Sequence, residues 1–156
     1  GRSEKICVAI GSEVSNREKF ILVSGGLSGV AEAAIRAVKD PAKAYNVLPC
    51  GSLPLINHGH HLERGRNMEE RRTHLGKMCS VYFMVEGGPG TKDEAEKVLR
   101  LNPSAILLPM SSTGGASSGM FFEDPGAFFA QVEARCKTVF TKEHNISSLC
   151  KSNEDP

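Results

Sequence analysis

The stretch MVEGGPGTKDEAEKVL, Met84–Leu99, decides how this chain folds. It enters as an apolar strand, turns through glycines and leaves as a helix. Strand, tight turn and helix in succession form the repeating unit of an α/β domain. The same order occurs upstream. FILV, Phe20–Val23, runs into SGGLSG, Ser24–Gly29, and then VAEAAIRAV, Val30–Val38, whose Val30, Ala34, Ile35 and Val38 share one helical stripe. Further strands are expected at Ile6–Ile10, Val81–Val85, Ala105–Leu108 and, weakened by Asn46, at Ala44–Leu48. Helices are expected at Met68–Lys77, Thr91–Leu101 and Pro125–Glu133, the first capped by Asn67 with Glu70 as its capping-box partner. Pro49–Gly65 reads as loop.

This alternation predicts an α/β fold: one domain over residues 1–141, a parallel sheet with helices on both faces, followed by a polar tail over 142–156. One connection is awkward. Only Gly11–Lys19 separates the first two expected strands, and a parallel crossover needs about 10–12 residues or more. That implies an unusual connection or residues absent at this point.

Composition narrows the function. Nineteen lysines and arginines balance 18 aspartates and glutamates, so there is no field for gripping nucleic acid. No apolar run approaches the roughly 20 residues that span a membrane. The opening GRSEK is too polar for a signal-peptide core. Five scattered cysteines, odd in number and never spaced CxxC, fit a reducing compartment, so a cytoplasmic location is expected.

In open parallel sheets, ligands bind beyond the carboxyl ends of the strands, where both glycine turns fall. Gly25, Gly26 and Gly29 form one; Gly87, Gly88, Pro89, Gly90 and Thr91 form the other. Glycines let backbone approach a ligand, and the following helix offers unpaired N–H groups and a partial positive charge. Together they make a phosphate seat. The competing explanation is that glycines only permit tight turns. Thr91-Lys92-Asp93-Glu94 fits a capping box, but a carboxylate there also suits a general base or a ribose contact. Arg64, Arg66, Arg71 and Arg72 offer guanidiniums to a phosphate, or pair with Glu69 and Glu70 on a solvated face. His58, His60 and His61 have no acid or cysteine pair nearby, so a surface or lid loop is expected there rather than a metal site. The serine- and glycine-rich Ser111–Gly119 is either a second phosphate contact or a flexible connection.

Arg66–Leu99 resembles the core of the LONELY GUY family, also called lysine decarboxylase-like, within a wider superfamily of nucleotide-binding domains. Met68-Glu69-Glu70-Arg71-Arg72 stands for the family's Met-His-x-Arg-Lys helix, and Glu86-Gly87-Gly88-Pro89-Gly90-Thr91-Lys92-Asp93-Glu94 for its Pro-Gly-Gly-x-Gly-Thr-x-x-Glu turn. VSGGLSGVAEAA resembles the family's first glycine loop, and the likeness covers roughly Ile6–Leu108.

The resemblance implies a Rossmann-like fold, a homodimer and a phosphoribohydrolase. Such an enzyme cuts nucleoside 5′-monophosphates, cytokinin ribotides among them, into free base and ribose 5-phosphate. It also implies that Arg71 and Glu94 are catalytic and that Gly87, Gly88, Gly90 and Thr91 hold the phosphate; neither metal nor cofactor is expected. Glu86, Glu69 and Arg72 depart from the family's proline, histidine and lysine, and Ser24 stands where some members carry glycine. GGASSG, Gly114–Gly119, resembles divergent relatives that bind a nucleotide or a molybdenum cofactor without necessarily cleaving it. A carrier or sensor module is therefore the alternative expectation. Decarboxylation through pyridoxal phosphate requires a pocket lysine, and Lys92, the only lysine near the turn, is expected to face solvent.

Overall fold

The computed structural model describes residues 1–143, which form five helices and five strands. In chain order these are α1 (Arg2–Ser15), β1 (Leu22–Ser24), α2 (Val30–Ala37), β2 (Ala44–Leu48), β3 (His60–Glu63), α3 (Met68–Met78), β4 (Val81–Met84), α4 (Pro89–Leu101), β5 (Ile106–Pro109) and α5 (Pro125–Glu143). Residues 142 and 143 end α5, and the rest of the expected tail lies outside the described residues.

The strand expected at Ile6–Ile10 is instead the middle of helix α1. A run of five apolar residues fits either element, and here the deciding periodicity is carried by small side chains. Ser3, Cys7 and Gly11, four residues apart, form the buried stripe. A Cβ at Gly11 would collide with the Ala34 carbonyl, so glycine is what lets α1 lie closely against α2. Lys43 donates to the carbonyls of Val14 and Arg17, each at 2.6 Å, satisfying the C-terminal end of α1. With α1 a helix, the awkward connection disappears: the chain passes from α1 directly into β1.

All strand pairs are parallel. The expected single sheet is divided, however, into β1-β2-β3 and β4-β5, with no ladder between β1 and β4. Helix α3 joins the halves by packing on both β2 and α4. Strand β3 falls inside the segment expected to be loop. His60-His61-Leu62-Glu63 is an edge strand with mostly exposed side chains, so it lacks the apolar signal of a buried one.

Two cores result. Ile35, Val38, Ala44 and Ile56 close the first. Met84, Leu99, Leu107 and Phe128 anchor the second, between β4-β5 and helices α4 and α5. Arg135 on α5 donates to the carbonyls of Leu99 at 2.7 Å and Asn102 at 2.9 Å, capping α4 from outside. Among the described residues, no helix is long and apolar enough to cross a membrane.

Candidate functional site

Arg71 and Glu94 meet. Asn67 caps α3, its Oδ1 accepting from the Glu70 N–H at 2.9 Å, and this fixes the phase that turns Arg71 inward. Arg71 is among the largest fully buried side chains, at 2% exposure. Its Nη1 donates to Glu94 Oε1 at 2.9 Å across the α3–α4 interface. The Glu94 side chain keeps 28% of its surface open. Burial raises the Glu94 carboxyl above its usual range, against the pull of Arg71 and Arg72. Burial also lowers the guanidinium of Arg71, which Glu94 supports. A carboxyl raised in this way holds its proton more readily than a free one, the direction that general acid–base chemistry draws on.

The first glycine turn touches the same pair. A Cβ at Gly25 would sit 2.5 Å from Arg71 Nη1, so the absence of a side chain makes room for the guanidinium. Ser24 and Asn46 hold this turn, a role that nothing in their local sequence announces. Ser24 Oγ donates to Asn46 Oδ1 at 2.9 Å and accepts from the Gly26 N–H at 3.0 Å. Asn46 Nδ2 reaches the His58 carbonyl at 2.8 Å. Thus Asn46, read as weakening β2, is fully buried and ties three segments together. Gly29 caps α2 at φ 124 and has open space around it, so backbone conformation rather than crowding requires glycine there.

The second turn corrects one expectation. Helix α4 starts at Pro89, with Gly88 as N-cap, so Thr91 lies inside the first turn and makes no capping box with Glu94. Proline suits that first position because its missing N–H would have no helical partner. Glu94 is thereby left for Arg71. Glu86 adopts φ +55, which a proline cannot, so this chain does not reproduce the family proline's geometry.

Asp93 is engaged away from Glu94. Its Oδ1 takes the buried Lys97 Nζ at 2.7 Å, and Lys97 also reaches Glu69 at 2.7 Å. Arg72 lies 3.5 Å from Asp93 Oδ2 and against Gly90, at the head of α4. The departures Glu69 and Arg72 therefore belong to one ionic network crossing α3 and α4. Arg66 folds onto Glu70 and holds its carboxyl at about 2. Lys92 pairs with Glu96 at 2.9 Å.

Two of the loop histidines, His58 and His60, make structural contacts. The His58 ring donates to the Val38 carbonyl at 2.7 Å, and His60 stacks on Tyr45 with centroids 5.0 Å apart. Among the described residues, no three of His, Cys, Asp and Glu converge for a metal. Burial pushes the Cys7 and Cys79 thiols up, which favours the protonated thiol over the nucleophilic thiolate. Behind Glu94 and Thr91 lies a cavity of about 60 Å³ walled by Leu75, Val98 and Leu107. That is room for about two waters, too small for a nucleotide.

Comparison with known proteins yields a fold. No family model matches this chain, and no curated protein does. A crystal structure titled "X-ray structure of TM1055", a Northeast Structural Genomics Consortium target, is similar at a TM-score of 0.66 and 19% identity. The match covers 75% of this chain and 68% of that one. The architecture is a Rossmann-like α/β fold of parallel strands and intervening helices.

Proposed function

We propose that this chain is a nucleoside 5′-monophosphate phosphoribohydrolase of the LONELY GUY type. The observation that carries the reading is the Arg71–Glu94 pair, 2.9 Å apart, set against Gly25 of one glycine turn and on the helix that leaves the other. Two residues 23 positions apart, each singled out by the motif, converge with a raised carboxyl and a buried guanidinium.

The reaction is hydrolysis of an N-glycosidic bond: ribotide plus water gives free base and ribose 5-phosphate. The 5′-phosphate sits at Gly87, Gly88, Gly90 and Thr91 on the positive end of α4, with Gly25, Gly26 and Gly29 beside it. As the bond to the base breaks, positive charge develops on the ribose. On this reading Glu94 stabilises that charge and takes the proton of the attacking water. Arg71, fully buried, acts through Glu94 by holding its carboxylate in place. The reading extends to a homodimer in a reducing, cytoplasmic setting.

A second reading is a nucleotide or molybdenum-cofactor carrier without turnover. Glu86 favours it, because its carboxylate adds negative charge beside the seat. Incubation with adenosine monophosphate and a panel of purine and cytokinin ribotides decides between them. Release of ribose 5-phosphate supports the hydrolase. Thermal stabilisation without release supports the carrier, and neither response would remove both readings for those ligands.

A further inference from the structure

Glu86 is one of two non-glycine residues with positive φ among those described, and it immediately precedes the loop read as the phosphate seat. A left-handed conformation is unfavourable for glutamate and persists only where its surroundings impose it. What imposes it lies 27 to 31 residues on. The Glu86 N–H donates to Thr113 Oγ1 at 2.8 Å. The Glu86 carbonyl accepts from the Ser117 hydroxyl at 2.8 Å and the Ser117 N–H at 3.1 Å. The next carbonyl, Gly87, accepts from the Ala116 N–H at 2.8 Å.

The clamp is itself fixed. Thr113 Oγ1 passes its own proton to the Met110 carbonyl at 2.7 Å, and the Met110 N–H continues the line of β5 onto the Met84 carbonyl at 2.8 Å. Ser117 and Ala116 are fully buried. Gly115 has φ +60, and a Cβ there would strike the Gly87 carbonyl. Thr113, Ser117 and the Ala116 N–H are thus spent on the loop beside this segment.

We propose that Thr113 and Ser117 are positioning residues for the anion seat. Thr113 holds the Glu86 N–H and Ser117 the Glu86 carbonyl, which keeps Glu86 left-handed, and the neighbouring Ala116 N–H ties down the Gly87 carbonyl; the N–H groups that follow are left turned to the ligand. A peptide carbonyl and the next N–H point opposite ways, so fixing one orients the other. This inference rests on reading the loop Gly87–Thr91 as an anion seat. Ser111–Gly119 is then neither a second phosphate contact nor a flexible connection.

The test uses Thr113→Val, which keeps shape and removes the hydroxyl, Thr113→Ser, which keeps the hydroxyl, and Thr113→Val combined with Glu86→Gly. Affinity for inorganic phosphate and adenosine monophosphate is measured by calorimetry. Residue 86 is followed by the strong intraresidue Hα–HN NOE that a left-handed residue gives. Thr113→Val should weaken binding by about three- to tenfold, the effect of one lost hydrogen bond, and should lose the NOE. Thr113→Ser should restore both. Glu86→Gly should rescue binding in the Thr113→Val background, because glycine takes positive φ unaided. Ser117→Ala provides a milder lesion of the same clamp should Thr113→Val fold poorly, with the same expected direction. Unchanged binding in both clamp variants, or no rescue by glycine, would overturn the proposal. If the wild type binds neither probe, the hydrolase reading loses its ligand while the NOE still decides the clamp: residue 86 staying left-handed without the Thr113 hydroxyl refutes it.

Discussion

Gly25→Ala is expected to uncouple Arg71 from Glu94. The added Cβ would lie 2.5 Å from Arg71 Nη1 and 3.4 Å from Cζ. Gly25 is not among the glycines with positive φ, so alanine is tolerated by the backbone and the conflict is with the guanidinium alone. The guanidinium must swing away, which breaks the 2.9 Å bond to Glu94. A hydrogen bond between charged groups contributes about 1.5–3 kcal/mol. Replacing glycine by alanine returns about 0.4–1 kcal/mol by restricting the unfolded chain. The net loss is therefore about 1–2 kcal/mol, or about 2–8 °C in Tm for a chain of this size. Thermal unfolding followed by circular dichroism measures it. The same substitution in a Glu94→Gln background should cost much less, since the ionic bond is already gone. Equal losses in both backgrounds, or a Tm that rises with alanine alone, would refute the coupling of Gly25 to the pair.

Arg135→Ala should lower stability by about 1.5–3 kcal/mol by uncapping α4, read by urea denaturation, while an unchanged midpoint would contradict the capping role. Lys97→Met keeps the buried stem but strands Asp93 and Glu69. Because both carboxylates are partly open to water, a loss of about 1–2 kcal/mol is expected by the same measurement. Glu70, held at about 2 against an ordinary 4.5, contributes stability that is present above pH 4.5 and lost as the pH falls towards 2. The Tm gap between wild type and Glu70→Gln should accordingly close over that range, and a constant gap would contradict the Arg66–Glu70 account.

Legibility in the sequence follows how local each signal is. Asn67 caps its helix as expected because a cap depends on a neighbour three residues away. The Met84–Leu99 unit folds as read because a strand, glycine turn and helix survive in one dimension, whereas the hydrogen bond between Arg71 and Glu94 emerges only in the fold. Helix α1 passes for a strand because its buried face is Ser3, Cys7 and Gly11, chosen for smallness against α2 rather than for hydrophobicity. Strand β3 is invisible because its edge position asks for no apolar pattern. The capping box at Thr91–Glu94 fails because the N-cap is Gly88, three residues earlier: Pro89 starts the helix early and frees the glutamate. The clamps on both turns, Ser24–Asn46 and Thr113–Ser117, join residues 22 and 27 to 31 apart. Polar residues in such places read as loop or as disruption until the chain is folded.

The claim that Glu94 performs chemistry at this site is tested most directly by ribose 5-phosphate release from adenosine monophosphate or the best ribotide, comparing wild type with Glu94→Gln. Glutamine keeps the size of the side chain and removes its charge and basicity. The account predicts release by the wild type and a loss of about 10²–10³ in kcat for the variant, with the ligand still bound. Release at an undiminished rate by Glu94→Gln would contradict it.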